Sequence, residues 1–464
     1  MKLKSFTTKQ GKNVPLTKIA IFVGPNNTGK SQTLRDIRER LENGQKSKPV
    51  IIDSFEFDAP SSIEDFYSGL EIKDSIHNIG YKTVFGIKSD LLSKDSMELH
   101  IPSLESDFQI NKSYNYILGN ITKYRVANLD SSTRLNLVLS TPSFNPNLDM
   151  PSNLDENNEL LLIKAFKSAF DMDIKLDYSE LISLCLRVGK ELPKIPDDPQ
   201  QACKITQFLQ KIDTQGDGFK SFVGIILGLL FSKDRIILLV EPEAFLHPAQ
   251  ARFLGKWIID NSDLFQGQLL ICTHNSNFLS GVLSSDKKVD IFRLNRHDNI
   301  TEYNLLPPNA TDNLSKSPIL SSQRVIEGIF HKGVVVCEAD ADRAVYQSVA
   351  SVEHMSNQEI LFIHSHNKQT HKDVAKLLVE AKIPVALIVD IDIFNGDTDL
   401  KNILEILGDN LENVDLLEKR KVIAASVNKI SENEILEHVK NEIRLFLEQL
   451  ERGEHTLNGA KSAY

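Results

Sequence analysis

Residues 24–31 combine glycines, a lysine and a serine at the spacing that binds a triphosphate. The segment, Gly24-Pro25-Asn26-Asn27-Thr28-Gly29-Lys30-Ser31, fits the pattern G-x-x-x-x-G-K-[ST] at every specified position. Glycines allow backbone N–H groups to turn towards phosphate oxygens, and the dipole of the helix that follows favours negative charge. Lys30 is expected to reach the β- and γ-phosphates, and the Ser31 hydroxyl is expected to bind Mg²⁺. The predicted nucleotide and Mg²⁺ ligands in this loop are Gly24, Asn26, Asn27, Thr28, Gly29, Lys30 and Ser31.

An acidic residue that would complete this site is Glu241, which follows the apolar run Ile236–Val240. An acid at the end of a buried strand can polarise a water molecule for attack on a phosphate. Two further segments are suitably placed, since Gly216-Asp217-Gly218 opens a predicted helix and His274 follows a predicted strand. Taken singly, these three could be a solvated strand end, a plain turn and an ordinary loop histidine. Their order after the phosphate loop favours one shared site.

A second group of acids follows two predicted strands in the C-terminal third of the chain. Glu338 and Asp342 come after one apolar run, and Asp390 and Asp392 come after a later one. Parallel strands end at the same edge of a sheet, so Glu338, Asp390 and Asp392 are expected to converge. Converging carboxylates suit Mg²⁺ or Mn²⁺, which can assist displacement at a phosphodiester. Because unpaired carboxylates repel one another, a metal ion or a basic partner is required.

Three histidines, His364, His366 and His371, crowd a segment near these acids. A zinc site there is one interpretation, but we favour a solvated loop between a strand and a helix.

Alternating strands and helices are predicted to hold these residues. The expected elements of the first unit are the strands Thr17–Val23, Arg235–Val240, Gln268–Cys272 and Val289–Leu294 and the helices Ser31–Leu41, Phe219–Phe231 and Pro248–Asn261. Those of the second unit are the strands Gly333–Cys337, Ile360–His364 and Pro384–Val389 and the helices Asp340–Ala350, His371–Ala381 and Leu400–Leu407. This alternation implies an α/β fold with a mostly parallel sheet in each unit.

The segment between the two halves of the first unit has a different pattern. Helical stretches such as Glu159–Phe170 and Ser179–Val188 alternate with Pro- and Asn-rich breaks. We therefore predict an inserted, mainly helical lobe at about 60–210 within a first domain at 1–325. Residues 306–325 are rich in Pro, Asn and Ser and are expected to connect it to a second domain at 330–464.

Composition restricts the classes of protein that remain. The 464 residues are 41% hydrophobic and 25% charged, which is ordinary for a globular chain with sizeable cores. The longest apolar run, Phe222–Phe231, is too short to span a bilayer, and residues 1–15 lack the apolar core of a signal peptide. Four widely spaced cysteines fit a reducing cytoplasm. With 53 basic and 63 acidic residues the net charge is −10, so only a local basic groove would bind nucleic acid.

The motifs of the first unit resemble those of ABC-type (AAA) P-loop ATPases, and most closely those of OLD-family and PARIS-type defence proteins. The segment Glu241–Pro248 resembles a Walker B strand end and D-loop, and His274 resembles the switch histidine. This resemblance implies that ATP is the nucleotide, that Glu241 and His274 are catalytic, and that His274 hydrogen-bonds the γ-phosphate. Val240 departs from the family, which usually has a Mg²⁺-assisting acid before the catalytic one, so hydrolysis is expected to be slow or to rely on Glu241 and Ser31.

The loop Gly216-Asp217-Gly218 resembles a degenerate ABC signature loop. The resemblance implies that its residues bind the nucleotide held by a neighbouring protomer. ATP would then favour a dimer or a higher homo-oligomer.

The acids of the second unit resemble those of a Toprim domain, which OLD-family nucleases carry after their ATPase. The resemblance implies that Glu338, Asp342, Asp390 and Asp392 bind Mg²⁺ or Mn²⁺. Ala339 replaces the glycine that is usual in this motif. The alternative is a Toprim-like fold that has lost its chemistry and serves as a docking surface.

Three functions follow from these resemblances. The first is the ATPase of a prokaryotic antiphage system, in which the protein senses a phage trigger protein and holds a separate effector nuclease. The second is a self-contained, ATP-controlled OLD-family nuclease that cuts DNA or RNA. The third, an SMC-like DNA-repair ATPase, is less favoured because no long heptad arm interrupts the ATPase halves.

Overall fold

The computed structural model describes most of the two predicted units and parts of the segment between them. The described residues are 2–58, 65, 68, 70, 72–74, 81–84, 97–100, 122–139, 141–142, 156–177, 179, 183–196, 198–316, 323–352, 359–365, 368–395, 397–408, 414–427 and 432–451.

The described strands are β1 (Leu3–Thr8), β2 (Asn13–Pro15), β3 (Ile19–Val23), β4 (Ile52–Phe57), β5 (Ile72–Asp74), β6 (Tyr81–Val84), β7 (Met97–His100), β8 (Val126–Leu129), β9 (Thr141–Pro142), β10 (Asp173–Asp177), β11 (Ser183–Gly189), β12 (Gln210–Lys211), β13 (Ile236–Val240), β14 (Gln268–Cys272), β15 (Asp290–His297), β16 (Ile300–Leu305), β17 (Gly333–Cys337), β18 (Ile360–His364) and β19 (Val385–Ile388). The described α-helices are α1 (Lys30–Asn43), α2 (Ser131–Asn136), α3 (Glu156–Phe170), α4 (Pro199–Thr206), α5 (Asp217–Phe231), α6 (Pro248–Asp260), α7 (Ser276–Leu283), α8 (Pro308–Lys316), α9 (Gln323–Gly328), α10 (Asp340–Val352), α11 (Lys368–Glu380), α12 (Asp397–Ile406), α13 (Val414–Val427) and α14 (Glu432–Glu451).

A six-stranded sheet organises the first unit, in the order β16-β15-β3-β14-β13-β8. The five strands from β15 to β8 pair in parallel, and β16 pairs antiparallel at the edge. The central strands are continuous apolar runs because helices cover both of their faces. The register aligns Val240, Cys272 and Phe22 across the sheet, so β13, β14 and β3 end at the same edge.

Alternate residues of β3 belong to different halves of the core. Ile21 and Val23 lie in a cluster with the apolar side chains of α5, α6 and α7, whereas Phe22 lies with Leu34 and Ile37 of α1. The helix α5 is buried along its whole length from Ser221, because it is apolar on every face. The helix that follows the phosphate loop therefore covers one face of the sheet, and the helices around the second half of the site cover the other.

The second unit has a three-stranded parallel sheet in the order β18-β17-β19. Its buried side chains, among them Val334 and Ile363, belong to the same hydrophobic cluster as the first unit. The buried Arg293 of β15 joins the units, since it donates hydrogen bonds to the carbonyls of Ile329 (3.1 Å), His331 (2.8 Å) and Lys382 (2.9 Å). The predicted connector at 306–325 contains α8 and the start of α9, which supply Leu314 and Val325 to this core.

The remaining sheets are antiparallel and small. They are β2-β1-β4, β5-β6-β7 and a set in which β11 pairs with β9, β10 and β12. Among the described residues, no helix is both long and apolar enough to cross a membrane.

The structure confirms the predicted α/β fold but changes the picture of the inserted segment. Its described part contains strands as well as helices, and Val126–Leu129 is an edge strand of the central sheet. The helix predicted at Ser179–Val188 is wrong over its described residues, because Ser183–Gly189 is a strand. Leu186 and Val188 face the core, whereas Arg187 on the opposite side pairs with Asp177 at 2.7 Å. The domain boundaries at 325 and 330 stay a prediction.

Candidate functional site

The phosphate loop lies between β3 and α1, as predicted, and its backbone requires glycine at two positions. Gly24 has a φ of +136° and Gly29 a φ of +100°, a region that other residues rarely adopt. A Cβ atom at Gly24 would lie 2.4 Å from the carbonyl oxygen of Leu294 on the adjacent strand. Asn27 also has a positive φ of 62°, and it is exposed at the tip of the loop together with Asn26. The loop is therefore held against the sheet while its tip stays accessible.

Lys30 is the buried cation of this loop, with only 8% of its surface exposed. Its Nζ donates hydrogen bonds to the carbonyl oxygens of Gly24 and Pro25, both at 2.7 Å. Burial lowers the pKa of Lys30, an effect that the nearby Glu241 partly offsets. The ammonium group of Lys30 is thus bound by the carbonyl oxygens of its own loop. A bound phosphate would replace these two oxygens as its hydrogen-bond acceptor.

Ser31 lies under the end of β14. Its hydroxyl accepts a weak hydrogen bond from the thiol of Cys272 over 3.8 Å, and burial raises the pKa of that thiol to about 12. The Ser31 hydroxyl and the carboxylate of Glu241 are hard oxygen donors of the kind that Mg²⁺ prefers. The donor types near the loop therefore fit the ion, although Val240 supplies no acid.

Glu241 and His274 come together at the aligned ends of β13 and β14. The Nδ1 atom of His274 lies 3.6 Å from Oε1 of Glu241 and 3.4 Å from Oε1 of Glu243. The side chains of Glu241 and His274 are 40% and 49% exposed, so solvent reaches both. Glu241 has a φ of +46°, which holds the residue directly after the strand in a left-handed turn. This arrangement can place a water molecule between an acid and an imidazole beside the phosphate loop.

Glu243, which the sequence offers only as the first alternative to Glu241 as the base, also belongs to this cluster. Only 4% of its surface is exposed, and its Oε1 accepts hydrogen bonds from Oγ1 of Thr273 (2.8 Å) and N of His274 (3.2 Å). Burial raises the pKa of the Glu243 carboxyl. Its position two residues after Glu241 was the available signal, but its partners Thr273 and His274 lie in the loop that follows β14.

Arg134 is a residue that sequence reasoning missed. It is fully buried in the short helix α2, where it donates hydrogen bonds to the carbonyls of Leu129 (3.0 Å), Val240 and Glu241 (3.1 Å). Burial lowers its pKa to about 10. Because these carbonyls end β8 and β13, Arg134 fixes the backbone that carries Glu241.

The loop Gly216-Asp217-Gly218 forms the start of α5, as predicted. A Cβ atom at Gly218 would lie 2.7 Å from the carbonyl oxygen of Phe245, so the loop packs against the turn that follows Glu241. Phe245 itself is 56% exposed and has a φ of +70°. The role of the loop in a neighbouring protomer stays a prediction.

In the second unit the structure brings Glu338 and Asp390 together. The backbone N–H of Asp390 donates to Oε2 of Glu338 over 3.4 Å. Asp342 instead accepts from the backbone N–H of Ala339 at the start of α10 (3.2 Å). The side chain of Asp392 lies outside the described residues. Within the described part of the chain no three His, Cys, Asp or Glu side chains are placed to hold a metal ion.

The solvated loop expected around the histidines is wrong for His371, which lies buried in α11. Its Nδ1 lies 3.0 Å from Oγ of Ser365, and its Nε2 has no hydrogen-bond partner among the described atoms. His364 ends β18, with its Nδ1 3.1 Å from Oδ1 of Asp340. His366 lies outside the described residues.

Comparison with known proteins finds a family match in the first part of the second unit. Residues 329–392 match the family described as Overcoming lysogenization defect protein-like, TOPRIM domain. The predicted Toprim-like fold is therefore confirmed over these residues, and the matching family is of the OLD-like type. No curated protein matches the sequence.

Several solved SMC heads are similar to the chain at low identity. The SMC head bound to the C-winged helix domain of ScpA shares 15% identity, covering 66% of this chain and 98% of that chain, with a TM-score of 0.40. The SMC head domain from Thermotoga maritima shares 13% identity over 66% of this chain and 100% of that chain, with a TM-score of 0.32. The head with an extended coiled coil from Pyrococcus furiosus, bound to the C-terminal domain of ScpA, shares 11% identity over 66% and 97%, with a TM-score of 0.36.

Proposed function

We propose that this protein binds and hydrolyses ATP and uses that cycle to control its OLD-like Toprim domain or an associated nuclease. The observation that carries the proposal is the cluster at one sheet edge. There a complete phosphate loop, the acid Glu241 and the imidazole of His274 meet at the aligned ends of three parallel strands.

Each residue has a role that its position supports. Lys30 exchanges the carbonyls of its own loop for the β- and γ-phosphate oxygens. Glu241 accepts a proton from water as the water oxygen bonds to the γ-phosphorus and the bond to the ADP oxygen breaks. His274 donates a hydrogen bond to the γ-phosphate. When bound at Ser31 and Glu241, Mg²⁺ would neutralise phosphate charge.

Hydrolysis is expected to be slow. Val240 stands where a Mg²⁺-assisting acid is usual in the resembling family, and the neighbour of Ser31 on β14 is a protonated thiol. We therefore assign the role of the acid at the end of β13 to the exposed Glu241. A slow cycle suits a protein that stays assembled with ATP until a trigger arrives.

We further propose that ATP joins two protomers and that the protein serves in prokaryotic antiphage defence, in the cytoplasm. The resemblance of Gly216-Asp217-Gly218 to a signature loop supports the first point, because that loop would complete the site of a neighbour. The OLD-like Toprim domain and the resemblance to OLD-family and PARIS-type proteins support the second. In this scheme the partners are a second copy, an effector nuclease and a phage trigger protein.

A second candidate function is a self-contained, metal-dependent nuclease that acts on DNA. The hydrogen bond from the backbone N–H of Asp390 to the Glu338 carboxylate favours it, since it brings together two residues that are predicted to bind metal. Mg²⁺ or Mn²⁺ would be held there by carboxylate oxygens.

Substitution of Lys30 tests the ATPase proposal. Lys30→Ala removes the charge that faces the β- and γ-phosphates, so ATP affinity and phosphate release should fall to background. The matched control is Lys256→Ala, which removes an exposed lysine paired with Asp260. The purified variants are compared by nucleotide binding and phosphate release. If Lys30→Ala binds and hydrolyses ATP as the wild type does, the assignment is wrong.

A further inference from the structure

Glu243 holds the turn that carries His274. One oxygen, Oε1, accepts from Oγ1 of Thr273 at 2.8 Å and from the backbone N–H of His274 at 3.2 Å. The same oxygen lies 3.4 Å from Nδ1 of His274. A single buried carboxyl thus touches both the backbone and the ring of the residue that faces Glu241.

Both donors to Glu243 meet the same oxygen atom. The hydroxyl of Thr273 and the backbone N–H of His274 donate to Oε1, so one acceptor atom fixes two consecutive residues of the turn. The second oxygen, Oε2, is buried and has no hydrogen-bond partner among the described atoms.

Glu241 differs from Glu243 in the properties that a proton acceptor needs. The side chain of Glu241 is 40% exposed, whereas that of Glu243 is 3% exposed. A water molecule can therefore reach Glu241 directly, whereas Glu243 contacts the site through its hydrogen bonds with Thr273 and His274.

We propose that Glu243 is a positioning residue that holds the Thr273-His274 turn and keeps the imidazole beside Glu241, which alone accepts the proton from water. The proposal rests on the proposed ATPase function. In this proposal Glu241 reacts with water, and Glu243 positions His274.

Two substitutions at one position test this division. Glu243→Gln keeps an acceptor oxygen for Thr273 and His274. Its kcat should stay within about fivefold of the wild type, the factor expected for one altered hydrogen bond. Glu243→Ala removes the acceptor, so kcat should fall up to ~10²-fold with little change in KM, because the displaced group is not a substrate ligand.

The comparison variant is Glu241→Gln, which should lower kcat by ~10²–10⁴-fold as loss of a general base does. Thr273→Val removes a donor to Glu243 without changing side-chain shape, and its loss of kcat should be non-additive with that of Glu243→Ala. The pH profile of kcat should keep its acidic limb in Glu243→Gln and lose it in Glu241→Gln.

Three results would overturn the inference. If Glu243→Gln is as inactive as Glu241→Gln, Glu243 is itself the proton acceptor. If Glu243→Ala keeps the wild-type kcat, the residue positions nothing. If Thr273→Val and Glu243→Ala are strictly additive, their hydrogen bond does not act as proposed. Failure of the ATPase proposal is distinct, because the wild type and Lys30→Ala would then bind ATP equally.

Discussion

Substitution of Arg134 tests how the first unit positions Glu241. The residue is fully buried and donates to three carbonyl oxygens, two of which belong to Val240 and Glu241. Replacing it by methionine keeps much of the side-chain volume and removes all of these donors. We expect Arg134→Met to lower both the free energy of unfolding and kcat.

The size of the stability change follows from two opposing effects. Each buried carbonyl left without a donor costs about 1–3 kcal/mol. Against this, the variant no longer buries a cation whose pKa is lowered from 12.5 to about 10, a difference equivalent to about 3 kcal/mol. We therefore expect a net loss of about 3 kcal/mol. The activity should fall further, because a displacement of ~1 Å in a reacting group can cost ~10²-fold in rate.

Arg125 supplies a matched control beside the same strand. It lies at the opposite end of β8, is 2% exposed and donates to the carbonyls of Asp234 (3.2 Å) and Ser68 (2.7 Å). Arg125→Met removes a comparable buried cation far from Glu241. Urea denaturation should show a similar loss of stability in both variants, whereas phosphate release at a temperature where both are folded should fall strongly only in Arg134→Met.

Two results would refute this reasoning. If Arg134→Met keeps the wild-type kcat, the carbonyl contacts do not position Glu241. If the two variants lose the same fraction of activity, the effect is a general loosening of the sheet and not a local one.

Two further predictions concern charge. Burial raises the pKa of Glu243 above its ordinary value of 4.5, so the stability that the protonated group contributes is complete below pH 4.5 and is lost as the pH rises through the folded-state pKa. The free energy of unfolding, measured by urea denaturation, should therefore fall less steeply above pH 4.5 in Glu243→Gln than in the wild type. The difference should be ~1.4 kcal/mol for each tenfold difference in the acidity constant of Glu243 between the folded and unfolded chain, and identical curves would contradict the prediction. In the Toprim domain, Asp390→Ala should abolish Mn²⁺-dependent cleavage of DNA if the site cuts, or release a bound effector if it docks one, while ATPase activity persists. The exposed Asp373 on α11 is the control position, and a wild-type result in both assays would remove Asp390 from either role.

The phosphate loop was predictable because its chemistry is encoded in eight contiguous residues that impose their own turn. Glu241 and His274 were predictable because parallel strands must end at a common edge. The contacts that Arg134 makes with Glu241 and Glu243 makes with Thr273 were not, since these partners lie 107 and 30 residues away, respectively, and no local pattern encodes them. The strand Ser183–Gly189 was mistaken for a helix because the apolar Cys185 between Leu184 and Leu186 breaks the alternation of apolar and polar residues.

Arg293 has a consequence for how a signal travels through the molecule. Its hydrogen bonds to the carbonyls of Ile329, His331 and Lys382, and the common core around them, connect the six-stranded sheet of the first unit to the Toprim sheet. The two units are therefore joined by buried hydrogen bonds and by one shared hydrophobic core. If ATP joins two protomers as proposed, the Toprim sheets of the two copies would change position together with the six-stranded sheets. ATP binding would then change the distance between the Toprim sheets of the two protomers, without a hinge inside either chain.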